Sequence, residues 1–191
     1  MKSNSNLLLA LVLILSSASC ASTGPATDKF QAKHMDENAE MTPSDLGHRF
    51  IEMIRDANSF ENLSIDFIER SIGSPFKGDK KSGFFILKSR DENWEYGVTY
   101  NFDEKFNEYS NVTLELIRMH DWVDEYSPPC DIMLDDYVSA LKSMGFSTEP
   151  PTYGEIGWLL SLQYIRNNMY VQIAPQHVNP SCVSSISIHK L

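Results

Sequence analysis

Trp94, Tyr96, Val98, Tyr100 and Phe102 take every second position of one nine-residue run. Side chains of an extended strand alternate between its faces, so this spacing puts five bulky groups on one side. On a helix the same residues would point in all directions. The segment therefore reads as a strand with one buried face, and such a strand needs neighbours for its backbone hydrogen bonds. Phe84 to Arg90 supplies one, joined to it through Asp91-Glu92-Asn93, and Val112 to Met119 supplies another. Trp158 to Ile165 and Met169 to Ala174 form a second hairpin across Arg166-Asn167-Asn168. Val183 to Ile188, with serines alternating against Ile186 and Ile188, gives the last strand.

Helices precede each group of strands. Thr42-Pro43-Ser44-Asp45 is a helix start, with Thr42 as cap and Asp45 three residues on. Leu46, Phe50, Met53, Ile54 and Ala57 then recur at helical spacing until Asn58-Ser59. A shorter helix begins at Ser64 and ends at Gly73-Ser74-Pro75. Asp131 is expected to cap a third helix, Ile132 to Met144, stopped by Gly145. Lys77 to Gly83 and the segment around Pro150-Pro151 read as loops. The expected class is α+β: antiparallel sheet, single or split, with helices packed on one face. A tandem helix-then-three-strand plan would divide residues 42–191 into halves 42–127 and 128–191.

The first twenty residues bear on location. Lys2 gives a positive head, Leu7 to Leu15 is an uninterrupted apolar run of nine, and Ser16-Ser17-Ala18-Ser19 lead into Cys20. Nine residues at helical rise cover under half of a ~30 Å hydrocarbon core, which fits a signal-peptide core and not a spanning helix. A cysteine directly behind small residues at the end of such a run resembles the lipobox of bacterial lipoproteins. The resemblance implies that residues 1–19 are removed and that Cys20 is lipidated, with palmitate among its acyl chains. Ala21 in place of Asp implies the outer membrane, periplasm-facing, more than the inner membrane. Ordinary cleavage near Ala18 or Ala21 is the alternative. Residues 20–41 carry too little apolar material to offset ordering entropy and read as a tether averaging ~25 Å end to end.

The chain carries a formal charge of −10, and loss of residues 1–19 removes Lys2 and no acid, leaving about −11. That balance argues against nucleic acid and anionic lipid surfaces and is compatible with a basic protein partner. No second apolar run approaches spanning length, so any membrane attachment runs through the lipid. About 150 residues remain for folding, enough for one core. The helix running into Ile72-Gly73-Ser74-Pro75, followed by an aromatic-rich antiparallel meander, resembles the BamE/SmpA-type lipoproteins. The same layout doubled resembles the β-lactamase-inhibitor protein. Both relatives are non-catalytic and bind proteins, which is the function class the resemblance implies.

Chemistry-bearing patterns are sparse. With Cys20 lipidated, Cys130 and Cys182 remain as an even pair in an oxidising compartment and are expected to form a disulfide. Metal binding is the rival reading, because His177 lies five residues before Cys182 and His120 ten before Cys130. Gly73-Ser74-Pro75-Phe76-Lys77-Gly78-Asp79-Lys80 fails as a phosphate loop: Asp79 replaces the lysine, and a helix precedes it where a strand is required. The mature chain has no nucleophile elbow, zinc-protease motif or Ser-x-x-Lys motif. His34, His48, His120, His177 and His189 are scattered. Asp121, Asp124 and Glu125, near Asp135-Asp136, lack the glycine turn and final glutamate of a calcium loop.

Trp122, Asp124, Glu125 and Tyr126 combine aromatic anchors with negative charge and are the expected partner-binding residues, with capping of the sheet end as their alternative role. The chain thus reads as a non-catalytic, lipid-anchored periplasmic protein, without cofactor, that binds another protein as an inhibitor or immunity protein does. An outer-membrane assembly accessory, and a small-ligand binder or cryptic hydrolase using the groups around Asp121, are the rival readings.

Overall fold

The described strands of this chain are all collected into one sheet. The computed structural model describes residues 40–119 and 127–191. Two helices come first, α1 (Pro43–Ala57) and α2 (Ile65–Ile72). Four strands follow: β1 (Lys77–Gly78), β2 (Ser82–Lys88), β3 (Trp94–Asn101) and β4 (Asn111–Arg118). After α3 (Leu134–Ser143) come β5 (Ser147–Tyr153), β6 (Leu159–Arg166), β7 (Met169–Pro175) and β8 (Val183–Lys190). The eight strands lie in the order β1-β2-β3-β4-β8-β7-β6-β5, each antiparallel to its neighbours.

This overturns the expected α+β class with helices packed on one face of a sheet. Among the described residues the fold is sheet-dominated, one eight-stranded antiparallel sheet with three α-helices of 15, 8 and 10 residues. Two strands account for the difference. β1 is a two-residue strand in what reads as a polar loop. β5 contains Pro150-Pro151, a loop signal in sequence, but it is the outermost strand, where a missing N–H costs no ladder bond. Each half therefore contributes four strands, and the halves join where β4 meets β8, with Val112 opposite Ile188 and Leu114 opposite Ile186.

The alternation in β3 does what its spacing predicts: Tyr96, Val98 and Tyr100 are buried. Val112, Leu114, Ile186, Ile188, Val171, Ile173 and Tyr164 continue that buried face across the sheet. Helix α1 adds Leu46, Phe50, Met53, Ile54 and Ala57, all fully buried. Its start is the expected capping box: the Thr42 hydroxyl accepts from the Asp45 N–H (3.1 Å), and the Asp45 carboxylate accepts from the Thr42 N–H (3.2 Å). Asn58 ends it in the left-handed region, at φ 57°.

Asp131 is not the cap of α3. The helix starts two residues beyond expectation, with Met133 at the cap position and no side-chain capping bond. The segment before it is extended because it is hydrogen-bonded to the chain leading into β8, through the Val183 N–H to the Ile132 carbonyl and the Leu134 N–H to the Ser181 carbonyl, both 2.9 Å. The Asp131 carboxylate instead accepts from the Tyr96 hydroxyl at 2.9 Å. The Cys130–Cys182 disulfide closes the same region, with Cα atoms 5.3 Å apart across a sequence separation of 52.

Arg166, at the end of β6, ties helix ends together. Its guanidinium donates to the carbonyls of Met144, just past α3, and Ile54, in the last turn of α1, at 2.9 and 3.4 Å, while lying 4.5 Å from the Phe146 ring centre. A helix leaves its last carbonyls without intrahelical partners, and here one cation serves two such ends.

The sheet's two edges differ. β5 presents Pro150-Pro151 and a register break between Glu149 and Tyr153. At the other edge β1 covers only Gly83 and Phe84, so among the described residues no strand pairs with the outer side of Phe85 to Lys88.

Candidate functional site

The strand parity that buries Tyr96 and Ile186 turns a different set of side chains outward. Register places Thr99 opposite Thr113, Thr113 opposite Ser187, Ser187 opposite Gln172, Gln172 opposite Gln163, and Gln163 opposite Glu149. One polar row thus crosses six adjacent strands, about 24 Å at normal strand spacing. All six side chains are half-buried, neither sealed in a core nor fully solvated. A second row runs alongside through Asn101, Asn111, His189, Tyr170 and Ile165. The strand carboxylates of this face are Glu95, Glu115 and Glu149, against two lysines, Lys77 and Lys88, both at the open edge. The face is broad, rich in hydrogen-bonding groups and net negative.

His189 lies in the second row, 2.8 Å from the Ser187 hydroxyl and 5.9 Å from the Tyr170 ring centre. Burial holds its pKa below the ordinary imidazole value of 6.5. A base whose folded pKa is depressed binds fewer protons folded than unfolded, so stability rises with pH across the interval between the two pKa values. The His189 contribution is therefore complete above about pH 6.5 and is lost as pH falls below it. Urea unfolding of wild type and His189→Gln at pH 7.5 and 5.5 should show a loss of under about 1 kcal/mol in wild type that the variant lacks. Equal slopes in the two proteins would remove His189 as the cause.

A second surface lies at the β5–β6 turn and the β7–β8 connection. Ile156 and Val178 are each 70% exposed, Trp158 48%, and Tyr153 and Leu160 are exposed as well. The Trp158 and His177 rings meet with centres 3.7 Å apart, joining the two loops into one apolar rim.

Between α1 and the β2–β3 turn is a cleft of about 290 Å³ lined by Thr42, Pro43, Ser44, Arg90, Asp91 and Asp131, among others. Asp131 is committed to Tyr96, whose hydroxyl is driven upward in pKa by burial and then by the carboxylate's charge. Tyr137, fully enclosed, donates to the Gly47 carbonyl and is raised in pKa by burial. Both phenols are structural hydrogen-bond donors.

The expected site residues fall unevenly. Cys130 and Cys182 are bonded to each other, so the metal reading through their thiols is overturned; the His177 ring lies against Trp158 instead, tilted by 57°. Among the described residues no group of three or more His, Cys, Asp or Glu side chains is gathered to hold a metal ion. No described helix is long and apolar enough to cross a membrane. Cys20, and the expected docking residues Trp122, Asp124, Glu125 and Tyr126, lie outside the described residues, as do His120 and Asp121. Neither the polar row nor the rim was an expected site. The serines alternating through β8 were the sequence signal for the row; the register that aligns them with Thr113 and Gln172 is not readable from any one strand. Comparison with protein-family models, curated proteins and solved structures finds no match to this chain.

Proposed function

We propose that this chain is a lipid-anchored, periplasm-facing protein of the outer membrane, acylated on Cys20, whose folded part binds another protein and catalyses no reaction. An inhibitor or immunity role against an envelope-directed enzyme is the form that fits its small, cross-linked, acidic build. The observation that carries the binding reading is the polar row from Thr99 to Glu149 across six strands. A face of that breadth offers aligned donors and acceptors to an extended partner surface. Its net negative charge, on a chain of formal charge −10, suits a partner with a basic surface.

Capture from solubilised envelope tests this reading. Thr113→Arg/Gln172→Arg places two cations in the row and repels a basic partner, so retention of the partner should fall about tenfold or more, with unfolding temperature unchanged. Trp122→Ala/Tyr126→Ala, run in parallel, measures the share of the acidic loop. Equal capture of the same partner by wild type and the arginine variant would overturn the outer face as the binding surface.

A further inference from the structure

We propose that Met133 is an oxidation site coupled to the disulfide: its thioether takes over the oxidising equivalent when a hypohalous acid attacks the exposed sulfur of Cys130. The Met133 Sδ lies 3.5 Å from the Cys130 Sγ. No proton bridges them, because Cys130 is bonded to Cys182, so two polarizable sulfurs with lone pairs are in direct contact. Exposure of the bond is one-sided. Cys130 is open to solvent and Cys182 is fully buried, so a reagent reaches the bond at Cys130, the end that touches Met133. Met133 is itself 44% exposed.

The backbone fixes this contact. Met133 pairs with Cys182 in an isolated antiparallel bridge, and its neighbours Ile132 and Leu134 are hydrogen-bonded to Val183 and Ser181 at 2.9 Å. The thioether thus hangs from backbone tied to one half of the disulfide while its sulfur rests on the other. Met133 holds the cap position of α3 and makes no capping bond, a position where Ser, Asp or Asn would contribute about 1 kcal/mol. A hypohalous acid, HOX, delivers X⁺ to a sulfur lone pair and releases hydroxide. On Cys130 this forms a halosulfonium, from which the more nucleophilic Met133 thioether takes X⁺. Water then adds to the Met133 Sδ, and loss of two protons and X⁻ leaves the sulfoxide. The net change is thioether plus HOX to sulfoxide, H⁺ and X⁻: Met133 is oxidised by two electrons, the halogen is reduced, and the S–S bond survives. Because donor and acceptor sulfurs already touch, the transfer is intramolecular. Methionine sulfoxide is also a reversible product, whereas a cysteine sulfur carried up to the sulfonic acid is lost. Neither the anchor nor the binding face enters this chemistry.

Titration of the full chain with hypochlorous acid tests this, after any free thiol at Cys20 is blocked by alkylation. The protein is digested without reduction, and the peptides are followed by mass spectrometry. The Met133 peptide should gain one oxygen severalfold faster than the Met119 peptide, although Met119 is equally exposed at 43%. In Cys130→Ser/Cys182→Ser that lead should vanish, a change that exposure alone would not produce. In Met133→Leu the linked Cys130–Cys182 peptide should acquire oxygen at a severalfold lower dose than in wild type. Met133→Gln, which also lacks a thioether, gives the same comparison if the leucine variant folds poorly. Three results would each overturn the proposal: a Met133 rate no higher than that of Met119, a lead that persists without the two cysteines, or a disulfide equally resistant with and without the thioether.

Discussion

Cys130→Ser/Cys182→Ser is expected to lower the unfolding temperature by up to about 8–16 °C. The crosslink spans a sequence separation of 52. Restricting an unfolded loop of that length corresponds to roughly 4 kcal/mol as an upper figure. For a domain of about 150 residues each kcal/mol shifts the midpoint by about 2–4 °C. The native geometry is not expected to collapse with it, because backbone bonds from Val183 to Ile132 and from Leu134 to Ser181 hold the same two segments together. The loss should therefore appear in the unfolding midpoint while circular dichroism of the folded state stays unchanged. Calorimetry of the oxidised protein, the dithiothreitol-treated protein and the double serine variant checks it. A shift under about 2 °C would mean that the unfolded chain is already restricted in this region.

Arg166→Met is expected to cost about 2–4 kcal/mol. Methionine keeps most of the packing of the arginine stem, so the change isolates the guanidinium. Two carbonyls, of Ile54 and Met144, lose a charged donor, each bond being worth about 1.5–3 kcal/mol at its strongest and less at the 3.4 Å separation to Ile54. The Phe146 ring loses its cation, about 0.5–2 kcal/mol. Burial already lowers the arginine's pKa, an unfavourable desolvation that leaves with the charge and holds the net effect below the sum of the losses. Arg166→Lys should recover part of the loss, since an ammonium can reach one carbonyl but cannot fork to both. Equilibrium urea unfolding of the three proteins gives the comparison, and no difference between arginine and methionine would show that the two helix ends are held by packing alone.

Local signals in the sequence carried far. Thr42 and Asp45 announce the start of α1, and the period-two run from Trp94 to Phe102 names its own buried face. The evenly matched cysteines outside the N-terminal segment name their own bond. Each of these is a relation between residues close in sequence or a matter of simple count. Long-range relations were not legible. Nothing in Asn111 to Arg118 says that its second neighbour is Val183 to Lys190, although that pairing merges two groups of strands into one sheet. Pro150-Pro151 reads as a loop because the local rule against proline in strands assumes a partner on both sides, and β5 has one. Asp131 looks like a helix cap until tertiary pairing at Ile132 and Leu134 holds that segment extended and leaves its carboxylate to Tyr96. The polar row escaped for the same reason: its members sit on six strands and become neighbours only through register.

The unequal borders of the sheet limit how copies of this chain can associate. Pro150 and Pro151 remove two amide donors from Ser147 to Tyr153, and the register break there makes it a poor template for a further strand. Among the described residues the stretch from Phe85 to Lys88 has no partner on its outer side, so strand addition is favoured at that border over the proline-bearing one. A unit with a single adhesive border can join one other unit back to back and then has nothing further to offer, whereas two such borders would permit unlimited growth. Pairing through Phe85 to Lys88 would leave the proline-bearing border as the remaining described edge for further strand addition.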